Sequence, residues 1–216
     1  MTKGKIEALL EQGRVALGNA MDTPEILSLL ASFNYGEPKL KEGQAAFKTL
    51  EEQHAAQLRL HAQQKEATAA FKAARDDARK MYSRHVKITR ALLSEEPERL
   101  ARLGLEGQRA KAFGAWLVQA RQFYREGLAD AGLQASLAEG GLTQAVLESG
   151  QAGVEAASQA NAAQESAKGL AQQSTKDRDA AAADFQKWMR NFWKIAEVAL
   201  SDQPQWLERL GRMVRS

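Results

Sequence analysis

Cysteine is absent from this 216-residue chain, which excludes disulfides, thiolate nucleophiles and cysteine-held metals and fits a reducing compartment. Long apolar runs are missing too. No stretch approaches the ~20 apolar residues of a membrane span, and the opening MTKGKIEALLEQGR has no apolar run long enough for a signal peptide. A cytoplasmic protein is therefore expected. β-branched residues are scarce, and no segment alternates apolar and polar side chains at period two, so strands are disfavoured. Charge of one sign is not in large excess either: 30 cations stand against 27 anions, a net charge of +3. A dedicated nucleic-acid binder usually carries a larger and more localised excess, so the bulk numbers do not point to one.

What is present is helix-forming text. Hydrophobic residues make up 44% of the chain, mostly Ala and Leu, and Gln, Glu, Lys and Arg fill much of the rest. All of these are strong helix formers. The expected fold class is all-α.

The chain repeats itself. Residues 94–104 read SEEPERLARLG and residues 201–211 read SDQPQWLERLG, an offset of 107 that extends without a gap over both halves. Pairing residues 1–107 with 108–214 leaves 27 of 107 positions identical. Gly43-Gln44-Ala45 meets Gly150-Gln151-Ala152, Thr68 meets Thr175, Lys87-Ile88 meets Lys194-Ile195, and Pro97 meets Pro204. Composition bias raises chance matches of Ala and Gln, but it does not align Gly, Pro and Thr. Two tandem units, 1–107 and 108–216, are expected to pack on each other with pseudo-twofold symmetry as antiparallel up-and-down helical bundles. No Pro/Gly/Ser-rich linker lies between them.

Within a unit, Ile6, Leu10, Gly13 and Leu17 mark a first helix, and Phe113, Leu117, Ala120 and Tyr124 mark its counterpart. Asp22-Thr23-Pro24 predicts a stop and a capped restart. A short helix through Ile26, Leu27, Leu30 and Phe33 should end at Asn34-Tyr35-Gly36, matched by Gly140-Gly141, where positive φ is tolerated. Gln44 to Glu96 contains no Gly or Pro; one helix of that length would run about 80 Å. The segments 38–95 and 145–202 read either as single helices or as hairpins turning near 62–68 and 169–175. Matched rod lengths suit a bundle and favour the hairpin. The last stripe runs Phe71, Ala74, Ala78, Met81, His85, Ile88 and Leu92, against Arg178, Ala181, Phe185, Trp188, Phe192, Ile195 and Ala199. Its alternating spacing of three and four resembles a coiled-coil seam.

Sites that carry chemistry are hard to find. Glu51-x-x-His54 has the i, i+3 spacing of carboxylate-bridged metal bundles, but those need it twice, and the repeat has Ser158 and Asn161 there. His54 and His61 are two ligands where a structural zinc wants four. His85 lies in the apolar stripe and reads as a core histidine whose ring nitrogen finds a neighbour. Asp76-Asp77 and Glu95-Glu96 are adjacent and so point about 100° apart on a helix. There is no nucleophile elbow and no Gly-rich phosphate loop. No residue is assigned a catalytic, metal or cofactor role, and an enzyme is not expected.

Two tracts remain. FQKWMRNFWK (185–194) mixes Trp188, Phe192 and Trp193 with Lys187, Arg190 and Lys194, as an interfacial membrane helix does; yet it shares the core stripe, which favours packing. Lys80, Arg84 and Lys87, with Arg99 and Arg102, could meet phosphates, although a solvated face is favoured. The expected function is therefore that of a structural or protein-interaction bundle with a protein partner or self-association, Trp206 lying on such a surface. A membrane surface comes second and nucleic acid third. No small-molecule substrate is evident.

The layout of two units, each ending in a helix, a proline and L-x-x-L-G (Lys87-Ile88, Pro97, Leu103-Gly104 and their repeats), resembles a group of tandem-repeat all-helical bacterial proteins. The resemblance implies a fold and carries no functional residue across.

Overall fold

The computed structural model describes residues 2–212; Met1 and residues 213–216, the end of the second expected unit, lie outside them. Among the described residues every regular element is a helix: α1 (Lys3–Asp22), α2 (Pro24–Ala31), α3 (Glu37–Leu92), α4 (Pro97–Arg102), α5 (Phe113–Ala129), α6 (Ala131–Glu139), α7 (Gln144–Ala199) and α8 (Pro204–Arg209). The bounds of α3 and α7, and those of α4 and α8, differ by 107 residues. Asn34 and Gly141, also 107 apart, both take positive φ, 61° and 80°, and there the chain turns from the short helix into the long one.

The hairpin reading does not hold. α3 and α7 are unbroken helices of 56 residues each. Thr68 and Thr175, where the turns were expected, lie inside these helices, and their hydroxyls donate back to the carbonyls of Gln64 (2.8 Å) and Ala171 (3.0 Å). That i to i−4 bonding is compatible with a continuing helix. The polar text near 62–68 marks a stretch with few buried neighbours rather than a break.

Two compact units form, and each draws on both halves of the sequence. The terminal unit comprises Met1–Ala62 and Gly169–Ser216. Its core joins Ile6, Leu17, Ile26, Leu30, Leu40 and Leu50 to Phe185, Phe192, Trp193 and Leu210. The central unit is Gln63–Lys168, where Tyr82, Val86, Leu93 and Leu103 meet Trp116, Phe123, Tyr124, Leu137 and Leu147. Burying each of these large side chains contributes about 1.5–3 kcal/mol.

The core stripe of α3 keeps Ala78 and His85 from the expected one and otherwise lies one residue over. Ala78, Tyr82, Val86, Thr89 and Leu93 are buried, His85 among them, while Leu92 is exposed. Along α7 the expected Arg178, Phe185 and Phe192 are buried, and the same shift buries Ala182, Met189, Trp193 and Ala196 beside them, with Leu200 just past the helix end. Thr23 stands at the N-cap of α2 as expected, but its hydroxyl makes no capping bond and is buried without a partner. Its counterpart Asp130 does cap α6, accepting from the Leu133 amide at 2.9 Å.

Candidate anion-binding site

Between Asp77 and Glu95 the sequence of α3 holds no carboxylate, and neither does the stretch between Glu106 and Glu126. The fold of the central unit brings these two acid-free segments together. Arg79 donates to the carbonyl of Lys111 at 2.8 Å, and Arg90 to those of Leu105 (2.8 Å) and Gly107 (3.2 Å). Gln119 holds the same loop, accepting from the Ala110 amide and donating to the Gly104 carbonyl, each at 3.2 Å. The loop from α4 to α5 is therefore clamped onto α3 by cations that spend their bonds on carbonyl oxygens. Arg109 in that loop reaches back to the Ser83 hydroxyl at 2.7 Å.

The result is a pocket of about 350 Å³ lined by Arg79, Tyr82, Ser83, Arg109, Lys111 and Trp116, with no carboxylate in its wall. A second concavity, about 470 Å³, adjoins it through Ser83 and is lined by Lys80, Arg84, Lys87 and Ile88. Lys80, Arg84 and Lys87 are exposed at i, i+4 and i+7 on one helix face. Among the described residues none of Arg79, Lys80, Arg84, Lys87, Arg90, Arg109 and Lys111 pairs with a carboxylate. Elsewhere in the same unit Arg99 pairs with Glu96 (3.0 Å), Arg102 with Asp130 (2.9 Å) and Arg121 with Glu155 (2.6 Å). Arg99 and Arg102, expected with the basic patch, are thus already neutralised.

Tyr82 is 1% exposed, and its hydroxyl has no hydrogen-bond partner. Burial pushes its pKa up to about 12, against the opposing pull of Arg109 and Arg90, so the phenol keeps its proton and is a donor. Arg79 Nε is a second buried donor without a partner. The guanidinium of Arg79 lies 5.4 Å from the centroid of the Trp116 ring, whose own edge contact with Tyr82 fixes the pocket floor (centroids 6.1 Å apart).

The positions 107 residues away offer an internal comparison. In the terminal unit Gln186 stands for Arg79, Met189 for Tyr82, Leu9 for Trp116 and Glu197 for Arg90. A concavity of about 570 Å³ lies there too, lined by Leu9, Gln186 and the carboxylate-bearing Glu11, and Glu197 is ion-paired with Arg212. At that place the terminal unit has no tyrosine hydroxyl, and the cation in the wall, Lys5, shares it with the carboxylate of Glu11.

The remaining sequence candidates are spread out. Glu51 pairs with Arg14 at 3.3 Å, His54 is buried with Nδ1 unpartnered, and His61 Nε2 lies 3.1 Å from the Thr175 hydroxyl. Among the described residues no three His, Asp or Glu side chains gather to hold a metal. Asp76 is bonded by Arg75 at 2.8 Å, and Glu95 and Glu96 end up beyond α3, with Glu96 taken by Arg99. Phe185, Phe192 and Trp193 are buried, and Trp188 is half-buried and stacked on Phe192, so the tract 185–194 is core as expected. Trp206 is half-buried against the same core and bonded to Gln203; it does not form an exposed anchor.

His85 is buried, with Nδ1 3.0 Å from the Tyr124 hydroxyl. Burial, with a smaller contribution from Arg84, holds its pKa below the ordinary 6.5. The imidazole is neutral in the folded state and charges more readily once unfolded. Its contribution to stability is therefore complete above pH 6.5 and declines as the pH falls below that. Replacing His85 with Phe, the residue at the equivalent position 192, is expected to flatten the acid limb of a stability-versus-pH curve measured by urea titration. An unchanged limb would show that other groups control it.

No protein-family model, curated protein or solved structure matches the chain. Tyr82, Arg109, Lys111 and Trp116 escaped the sequence reading; the two acid-free stretches were the signal that pointed to them.

Proposed function

We propose that this chain is a non-enzymatic binding protein of the cytoplasm, two copies of one helical module, that holds a nucleic-acid backbone on the basic face of its central unit. The observation that carries this reading is the group of seven cations, from Arg79 to Lys111, without a carboxylate partner. A net charge of +3 over the whole chain conceals such a local excess. Positive groups of this kind release counterions from phosphates and bind without regard to sequence.

A membrane surface fits less well. An interfacial helix buries apolar side chains among lipids, whereas Ile88 is half-buried between the exposed cations and the aromatic tract 185–194 is committed to the terminal core. Among the described residues no helix is long and apolar enough to cross a membrane.

Fluorescence anisotropy with labelled single-stranded RNA and DNA, titrated with salt, tests the reading. Binding that weakens steeply and linearly in log salt is expected, with little preference for sequence. Flotation with anionic vesicles but no association with either nucleic acid would replace it with the membrane alternative.

A further inference from the structure

We infer that the pocket between α3 and the α4–α5 loop takes a phosphate monoester, the doubly charged group at a phosphorylated end of a strand, on Arg79, Tyr82, Ser83, Arg109 and Lys111. The inference rests on the reading of this face as a nucleic-acid interface and adds to it which part of the strand is recognised.

Three facts support the choice of ligand. The cations in the wall, Arg79, Arg109 and Lys111, face no carboxylate, so a ligand with two negative charges is better matched than a bridging diester with one. Two buried donors, the Tyr82 hydroxyl and Arg79 Nε, lack acceptors, and native proteins leave few such groups unsatisfied. A phosphate packs several acceptor oxygens into a small volume, and the wall has no carboxylate to supply them. Since the Tyr82 phenol stays protonated, it donates to an anion and cannot repel one.

The position fits a strand end. Ser83 belongs to this pocket and to the adjoining concavity beside Lys80, Arg84 and Lys87. Those three span about 10 Å along the helix, so a backbone lying on them leads to the pocket. The corresponding place in the terminal unit has Gln186, Met189 and Leu9, with Lys5 beside the carboxylate of Glu11, and so lacks the guanidinium, the phenol and the acid-free wall.

The test compares one short labelled strand in three forms, 5′-phosphorylated, 3′-phosphorylated and unphosphorylated, with inorganic phosphate as competitor. Tyr82→Phe removes an unpartnered hydroxyl and keeps the ring contacts with Trp116, Phe123 and Tyr124, so it leaves the fold in place. At least one phosphorylated form is expected to bind about 10-fold tighter than the unphosphorylated strand, the effect of one charge-assisted hydrogen-bond set. Tyr82→Phe and Arg109→Gln should each erase most of that advantage. Inorganic phosphate should compete away the advantage alone. Equal binding of all three strands overturns the inference and leaves the nucleic-acid reading intact. An advantage that survives both substitutions also overturns it, because the phosphate then sits elsewhere. No strand binding, with inorganic phosphate still held and released by Tyr82→Phe, keeps the pocket and removes the nucleic acid.

Discussion

Gly150→Ala is expected to lower the stability of the protein by about 1–3 kcal/mol, although alanine is the better helix former by about 1 kcal/mol. Gly150 lies inside α7, and a Cβ there would collide with the ring and hydroxyl of Tyr124. That ring cannot withdraw, since Tyr124 is fully buried and its hydroxyl contacts His85. Forcing a methyl group into such a core costs about 1–3 kcal/mol, and disturbing the His85 contact adds about 1 kcal/mol more. For a chain of this size the melting temperature should fall by roughly 2–12 °C. Gly153 and Gly169, in the same helix, have nothing within 4 Å of a built Cβ. Alanine at either position should stabilise by up to about 1 kcal/mol, and Ala62 already occupies the position equivalent to Gly169. If Gly150→Ala melts at or above the parent temperature, the close approach of Tyr124 is not what keeps glycine there.

The joint substitution of Lys80, Arg84 and Lys87 by Gln should weaken nucleic-acid binding about 100-fold at 0.1 M salt. Each phosphate contact on a single strand contributes about 0.7 to the slope of log affinity against log salt, so losing three lowers the slope by about 2. Extrapolated from 1 M, that slope change amounts to about two orders of magnitude at 0.1 M. All three side chains are exposed and unpaired with carboxylates, so the substitutions should leave thermal stability within about 0.5 kcal/mol of the parent. The equivalent cations of α7, Lys187 and Lys194, provide the control, because Asn191 interrupts their row and their unit lacks the clamped basic loop. Replacing both with Gln is expected to change affinity little. Equal losses from the two sets would mean that binding follows total charge and not this face.

Much of the local structure was legible from residues alone. The all-helical class followed from composition and from apolar spacing at three and four. The end of α1, the start of α2 and the ends of α2 and α6 followed from Asp22-Thr23-Pro24 and the Asn34 and Gly140-Gly141 turns, whose conformations depend on the residues present. His85 was readable as a core histidine because its neighbours three and four positions away are apolar. The candidate site was visible only as Lys80, Arg84 and Lys87, grouped with two arginines that turned out to be paired.

Tertiary packing decided the rest. Whether a polar stretch bends depends on what its two flanks pack against, so Thr68 and Thr175, at the expected turns, sit within unbroken helices. A seam read from spacing alone is uncertain by one residue, since 3.6 residues per turn lets the buried line drift until real neighbours fix it; hence Tyr82 inside and Leu92 outside. The compact units mix the two sequence halves because a core forms between whichever faces complement one another, at any chain separation. The basic pocket arose in the same way: charge becomes a site only where the fold collects cations and keeps carboxylates away, and no linear count of +3 registers that.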